Sequence, residues 1–316
     1  MEQFMPGPSS QNSASDAHQQ RRRRLVALSA ALLIAVGSVV IVAASVGSAG
    51  KWDPKQLEQG AAAEKPKMEL EAQARAAAAL IAKRKNEIEA ENAAIDAVLE
   101  TTPIISQAGA ENKEVALTFD DGPSEFTGGI LDTLKKYDAK ATFFALGNQI
   151  NEFPLPLQRV VAEGHAVANH TWDHTDLTTL KPNDLRGQLN DNSDAFTGRN
   201  LPAPKLFRPP YGAVSDLVVA EASRAGMLTV MWSLDTNDYK LPAADVMAAQ
   251  VLAEVEPGAI ILMHDGGGDR TTTSAALPII LKGLRKAGYK MVTVPQLLLD
   301  NPPAAEQDTV QRTQGA

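Results

Sequence analysis

Asp120 and Asp121 end an apolar run and stand directly before Gly122-Pro123. Successive strand residues point to opposite faces, so two neighbouring carboxylates serve one site only where a strand gives way to a loop. There they can divide labour, one binding a divalent cation and the other accepting a proton from an attacking water. Further along, His170-Thr171-Trp172-Asp173-His174 sets two of the chain's five histidines four residues apart, a spacing that a helical turn brings to one face. Adding Asp121 gives two imidazoles and one carboxylate with a coordination position left over, the pattern of a catalytic rather than a structural zinc site. Zn2+ is therefore the expected ion, although the same donors suit Co2+ and other divalent transition metals.

Three further segments have the same character. Arg208-Pro209-Pro210-Tyr211-Gly212 is a loop stiffened by two prolines. Its arginine can clamp a carboxylate in bidentate fashion, and a backbone N–H near Tyr211 can point at a developing oxyanion. Asp235-Thr236-Asn237-Asp238-Tyr239 ends an apolar run in carboxylates, and Ile260-Ile261-Leu262-Met263-His264-Asp265 ends one in a histidine and a carboxylate. A lone histidine at a strand end is more often structural, but the recurrence of polar strand ends favours function for His264. His165 reads instead as packed within its own strand, and His18 lies in a polar leader. Gly266-Gly267-Gly268 reads as a flexible rim loop rather than a phosphate cradle, because no helix-opening Lys-Ser/Thr follows it.

The elements that must carry these residues alternate. Apolar runs at 115–119, 141–146, 165–168, 205–208, 228–234, 259–263 and 290–294 are separated by helical patterns at 129–137, 155–163, 184–196, 215–225, 243–254 and 274–287. Such a series implies parallel strands joined by right-handed crossovers, and it predicts an α/β fold: a distorted (β/α) barrel of about seven strands, shorter than the full eight-stranded form. Active sites of such folds lie at the carboxyl ends of the strands, where the polar residues cluster here.

With 316 residues, 44% hydrophobic, the chain can bury one sizeable core beside accessory segments. The net charge of -8 argues against a nucleic-acid partner. No cysteine occurs, so any metal must rest on His, Asp or Glu. Residues 1–24 form a polar leader closed by Arg21-Arg22-Arg23-Arg24, and residues 25–49 carry no charge, long enough for a transmembrane helix. The arginines place the leader in the cytoplasm and the remainder on the periplasmic or outer face of the cytoplasmic membrane. Residues 50–112 read as a helical stalk and linker. The stretch 67–100 is most helical and would reach about 50 Å. Ile81, Ile88 and Ile95 recur every seven residues, but Arg84 and Glu91 interrupt the seam, which leaves self-association through the stalk a minor expectation. The predicted catalytic domain covers 113–299, and 300–316 reads as a disordered tail.

Taken in order, Thr118-Phe119-Asp120-Asp121-Gly122-Pro123, the His170 and His174 pair, Arg208 to Gly212, Asp235 to Asp238 and Leu262-Met263-His264 resemble the NodB-like polysaccharide deacetylases, carbohydrate esterase family four; Lys140-Ala141-Thr142-Phe143-Phe144 adds to the likeness. The resemblance implies that Asp121, His170 and His174 bind the metal. It makes Asp120 the general base and His264 the general acid, with Arg208 holding Asp120 and Asp235 orienting His264. Tyr211, Pro209 and Leu262 would line the substrate pocket, with the Tyr211 N–H at the oxyanion and Leu262 against the acetyl methyl. Where the family often has Trp, this chain has Tyr239. The implied reaction is removal of N-acetyl groups from amino sugars of an acetylated polysaccharide, peptidoglycan or a chitin-like oligosaccharide. An O-acetyl esterase on xylan or another glycan is one alternative, and a catalytically silent glycan-binding module is another.

Overall fold

The computed structural model describes residues 54–304. The 1–24 leader, the expected 25–49 span and the end of the tail from 305 lie outside the described residues. Among those described, no helix is long and apolar enough to cross a membrane.

Among the described residues, nine strands form one sheet: β1 (Ile104–Ile105), β2 (Glu114–Asp120), β3 (Thr142–Ala145), β4 (Ala166–Asn169), β5 (Leu206–Phe207), β6 (Leu228–Val230), β7 (Leu234–Asp235), β8 (Ile260–His264) and β9 (Lys290–Val292). The order is β1-β6-β5-β4-β3-β2-β8-β7, with β9 also on β2, and every ladder is parallel. The expected single strand at 228–234 is two short ones. Its first half pairs with β5 and its second with β8, so Met231-Trp232-Ser233 joins the two sides of the curled sheet covalently. That is the predicted distorted barrel, bridged at one seam by chain rather than by a continuous ladder.

β2 is buried along its whole length, and for this reason it reads as an unbroken apolar run. Leu117, Phe119, Phe143, Ile261 and Met263 point outward into a core shared with α2 (Thr127–Lys136), α4 (Pro154–Ala162), α7 (Ala244–Glu254) and α8 (Thr271–Lys286). Ala116, Phe144, Ala168, Leu206, Leu228 and Ile260 belong to a second, inner cluster. The period of two then turns Thr118 and Asp120, Arg208, and Leu262 and His264 toward the inside as their strands reach the mouth. Further α-helices among the described residues are α3 (Gly147–Glu152), α5 (Pro182–Thr197), α6 (Asp216–Arg224) and α9 (Val294–Asp300).

Three expectations about the domain's edges are corrected. The stalk is a helix, α1 (Pro54–Thr101), but its last turns are not a spacer: Ile95 and Val98 pack with Ile105, Val294, Leu297 and Leu298 in the inner cluster, and the described residues from 74 onward form one compact unit. Arg84 and Glu91, the residues that interrupt the heptad seam, pair with each other at 3.3 Å, and Ile95 is taken up by the domain itself. The expected linker contains β1, paired with β6. The tail begins later than 300, because buried Asn301 donates to Glu114 and accepts from the Asn112 N–H. The folded domain therefore takes in the last turns of α1. Ile95→Ala is expected to destabilise the folded domain by about 3 kcal/mol, visible as a lowered midpoint in urea unfolding; an unchanged midpoint would return α1 to the role of a spacer.

Candidate active site

Asp120 and His264 are direct register partners on the neighbouring parallel strands β2 and β8, so their side chains open side by side at the carboxyl end of the sheet. Asp121 reaches the same place by a different device. Its φ of 72° puts it in the left-handed region, which releases it from the strand's alternation and lets a second consecutive carboxylate face the site. Close approach of the 266–267 turn supports this. A Cβ on Gly266 would lie 2.2 Å from the Asp121 carbonyl oxygen, and one on Gly267 2.4 Å from Asp121 Oδ2. These glycines are thus a tight backstop for Asp121, not a flexible rim.

His170 and His174 follow β4, but no helical turn carries them. Thr171 and His174 take φ values of 71° and 67°, and the loop is pinned from α5: Gln188 accepts the Trp172 N–H, while Asn192 donates to the carbonyls of Ala145 and Thr171. The result still brings the rings together. Nε2 of His170 and of His174 lie 3.3 and 3.2 Å from Asp121 Oδ1, and the three residues form a possible metal-binding group.

Two observations show that a cation fits. Asp121 Oδ1 is buried and accepts no hydrogen bond, a costly arrangement for a lone carboxylate oxygen. His170 Nδ1 lies 2.7 Å from the Arg208 carbonyl, which can only accept; the proton therefore sits on Nδ1, and in the neutral ring Nε2 presents its lone pair toward Asp121. Burial alone would raise the pKa of Asp121, yet the neighbouring imidazoles, His170 foremost, hold it well below the usual carboxylate range. Burial likewise opposes a charge on His170, and Asp120 and Asp121 outweigh it, raising its proton affinity. The same field that favours a proton there favours a divalent ion.

Arg208 is fully buried and donates from Nη1 to Asp120 Oδ1 at 2.7 Å and to Thr118 Oγ1 at 2.8 Å. The contact with Asp120 is monodentate. The bidentate clamp expected from sequence does not form, because Nε and Nη2 are committed to the carbonyls of Val230 and Met231, at the seam where β6 gives way to β7. The guanidinium also lies over the Phe144 ring, 4.1 Å from its centroid. Asp120 Oδ2 is left without a bond to the arginine and lies 3.8 Å from His170 Nε2.

The expected partner of His264 is corrected. Asp238, not Asp235, holds the ring: its Oδ1 is 2.7 Å from Nδ1, and its Oδ2 accepts the His264 backbone N–H and the Thr273 hydroxyl. Asp235 accepts the Asn237 N–H in the local turn, and burial raises its pKa. Asn237 takes φ 51°, which begins the single 3₁₀ turn that carries Asp238 beneath the imidazole. Burial alone would depress the pKa of His264. The hydrogen bond and charge of Asp238, then the charges of Asp120 and Asp121, overcome this and lift it to about 8. Residue type and spacing do not choose between Asp235 and Asp238; the left-handed turn at Asn237 does.

The substrate-pocket candidates divide. Leu262 is buried, two residues before His264 on the inward face of β8. Pro209 is buried in the loop and Tyr211, with φ 61°, is exposed, its ring edge-on to His174 at 4.5 Å. Tyr239 stands against His264 in a similar edge-on contact at 5.9 Å, so one tyrosine flanks each side of the mouth. His165 is structural: it accepts the Ala141 N–H, lies edge-on to Phe143, and is pushed down to about 4 by burial.

A curled parallel α/β barrel with a carboxylate-and-two-imidazole pocket at its mouth, flanked by a separate carboxylate and a separate imidazole, defines an acid–base, metal-fitted class of site. The comparisons with known proteins give the family. The sequence model described as polysaccharide deacetylase matches residues 107–230. Peptidoglycan-N-acetylglucosamine deacetylase of Bacillus cereus is 38% identical over 204 residues, 63% of this chain and 95% of that protein. Peptidoglycan-N-acetylglucosamine deacetylase PgdA of Listeria monocytogenes is 42% identical over 187 residues, 59% of this chain; the match spans only 39% of that longer protein. Among solved structures, a CE4 family pseudoenzyme from Bacillus anthracis superposes with a TM-score of 0.58 at 34% identity, covering 62% of this chain and 68% of that one. The chain belongs to the polysaccharide deacetylase family, CE4.

Proposed function

We propose that this protein is a metal-dependent deacetylase that hydrolyses N-acetyl groups on amino sugars of a cell-envelope polysaccharide, peptidoglycan first and chitin-like oligosaccharides second, releasing acetate. Family membership alone does not carry this, since a pseudoenzyme shares the fold. The observation that carries it is the pairing of Asp120 and His264 in register on adjacent strands beside the Asp121, His170 and His174 pocket. An amide needs both partners: a base to take the water's proton and an acid to give one to a nitrogen that leaves poorly.

Asp121, His170 and His174 would hold the ion, Zn2+ by donor set and Co2+ as a substitute. When bound, the metal polarises the acetyl carbonyl and activates water. Asp120 accepts the water's proton at Oδ2, while Arg208 holds Oδ1 and fixes the plane of the carboxylate. His264 donates from Nε2, because Nδ1 is engaged with Asp238. The Tyr211 N–H serves the developing oxyanion, Leu262 and Pro209 shape the acetyl pocket, and the tyrosine pair at the mouth offers faces for a sugar ring. The names of the relatives, peptidoglycan-N-acetylglucosamine and chitooligosaccharide deacetylases, support the amino-sugar substrate. The charge-free 25–49 stretch behind four arginines supports a single-pass anchor that holds the domain outside the cytoplasmic membrane, next to peptidoglycan.

The test is acetate release by the purified full-length chain from peptidoglycan, chitin oligomers and acetylated xylan, with and without a chelator. Release from the first two, lost on chelation and restored by Zn2+, is expected. Release from xylan alone would favour the esterase, and binding without release from any of the three would favour a silent glycan-binding module.

A further inference from the structure

Asp265 is a buried carboxylate that the reaction does not use. It follows His264 and leaves the barrel on the side of the Asp120-Asp121 turn. Its Oδ2 accepts the Thr127 hydroxyl at 2.5 Å. A Cβ on Gly122 would fall 2.2 Å from Oδ2 and 2.4 Å from Oδ1, so the carboxylate sits directly on the residue after Asp121. Its main chain is tied in as well: the Asp265 N–H donates to the Asp120 carbonyl, and the Asp265 carbonyl accepts the Ser124 hydroxyl. Thr127 in turn accepts the Ser124 N–H, closing the turn on itself. Oδ1 remains without a hydrogen bond.

This matters because Asp121 occupies a left-handed conformation that a non-glycine residue keeps only when its surroundings impose it. On one side Gly266 and Gly267 press against the Asp121 carbonyl and carboxylate. On the other, the Gly122 peptide must be held so that Asp121 does not relax into extended backbone and swing its side chain away from the imidazoles. Asp265 makes that second contact.

We propose that Asp265 is a positioning residue for the metal centre: by packing against Gly122 and accepting the Thr127 hydroxyl it locks the turn that aims the Asp121 carboxylate at His170 and His174. The proposal rests on the reading of Asp121, His170 and His174 as metal ligands. It assigns Asp265 no contact with substrate and no proton transfer.

Zinc affinity of the full-length chain, measured by competition with a chromophoric chelator, tests it without any need for turnover. Asp265→Asn keeps the shape but replaces one acceptor oxygen by a donor, and it is expected to weaken zinc binding about 10–100-fold, the range for lost outer-shell partners. Thr127→Val, which removes one donor to Asp265 and keeps its volume, is expected to weaken it about fivefold. In turnover both variants should lose kcat at subsaturating zinc, recover it as zinc is raised, and keep the parent's KM for glycan. A residue that merely stabilised the fold would lower the melting temperature and leave zinc affinity and the zinc dependence of kcat unmoved. Parent-like zinc affinity in both variants would overturn the proposal while the metal reading stood. A parent chain that takes up no zinc would overturn both. If Asp265→Asn fails to fold, Thr127→Val decides alone.

Discussion

Asp120→Asn is expected to lower acetate release by about 10²–10⁴-fold while zinc content stays at the parent level. The substitution is close to isosteric, and its carbonyl oxygen can still accept from Arg208 Nη1, so the fully buried guanidinium keeps a partner. What is lost is the basic oxygen on the far side of that contact. The adjacent carboxylate supplies the contrast. Asp121→Asn removes the anionic oxygen lying 3.3 and 3.2 Å from the two imidazoles, and it is expected to abolish both zinc uptake and turnover. Zinc content by elemental analysis beside acetate release separates the two roles that consecutive aspartates share. If Asp120→Asn lost zinc as fully as Asp121→Asn does, Asp120 would be a ligand and the base would lie elsewhere. If it kept turnover within about tenfold of the parent, the assignment of base would fail.

How much of this was legible in the sequence follows from what each signal encodes. The barrel could be read because parallel strands buried on both faces leave continuous apolar runs, and β2, β3 and β8 lie close to where those runs predict them. β1 and α9 escaped because a two-residue strand has no period and a helix of one or two turns beginning Val294-Pro295 resembles the end of a strand. The docking of α1 was hidden for a different reason: Ala- and Glu-rich composition reports helix propensity, but not that Ile95 and Val98 face a barrel interior rather than a partner helix. In the site, residue type and order located the Asp, His and Arg side chains, since few structural needs put so many polar groups after apolar runs. Pairing within a loop was not encoded there. Asp235 and Asp238 have the same chemistry three residues apart, and only the left-handed turn at Asn237 decides which one lies under His264. The two histidines were brought together by left-handed residues and the amides of Gln188 and Asn192, a route that i,i+4 spacing does not distinguish from a helix.

His264→Ala is expected to lower N-acetyl hydrolysis by about 10²–10⁴-fold and O-acetyl hydrolysis far less, because an alkoxide leaves with less help than an amine. Equal losses on the two substrates would remove His264 from the role of acid. The pH profile sharpens the assignment. A general acid works while protonated, so the activity that depends on His264 is present below its pKa and lost as pH rises through it, which places the alkaline limb near pH 8. Burial pulls that pKa down and Asp238 pulls it up, so removing the anion should leave burial less opposed. Asp238→Asn is therefore expected to move the alkaline limb to lower pH, with the rate at pH 8 falling more than the rate at pH 6. Asp235→Asn leaves the 2.7 Å contact in place and should move the limb much less. Profiles of kcat/KM on a chitin oligomer for the parent and both variants read this directly, provided zinc is saturating throughout. A limb that stays in place in Asp238→Asn would mean that the group titrating there is not His264; a limb that moves more in Asp235→Asn would return the orienting role to the residue that the sequence motif first suggested.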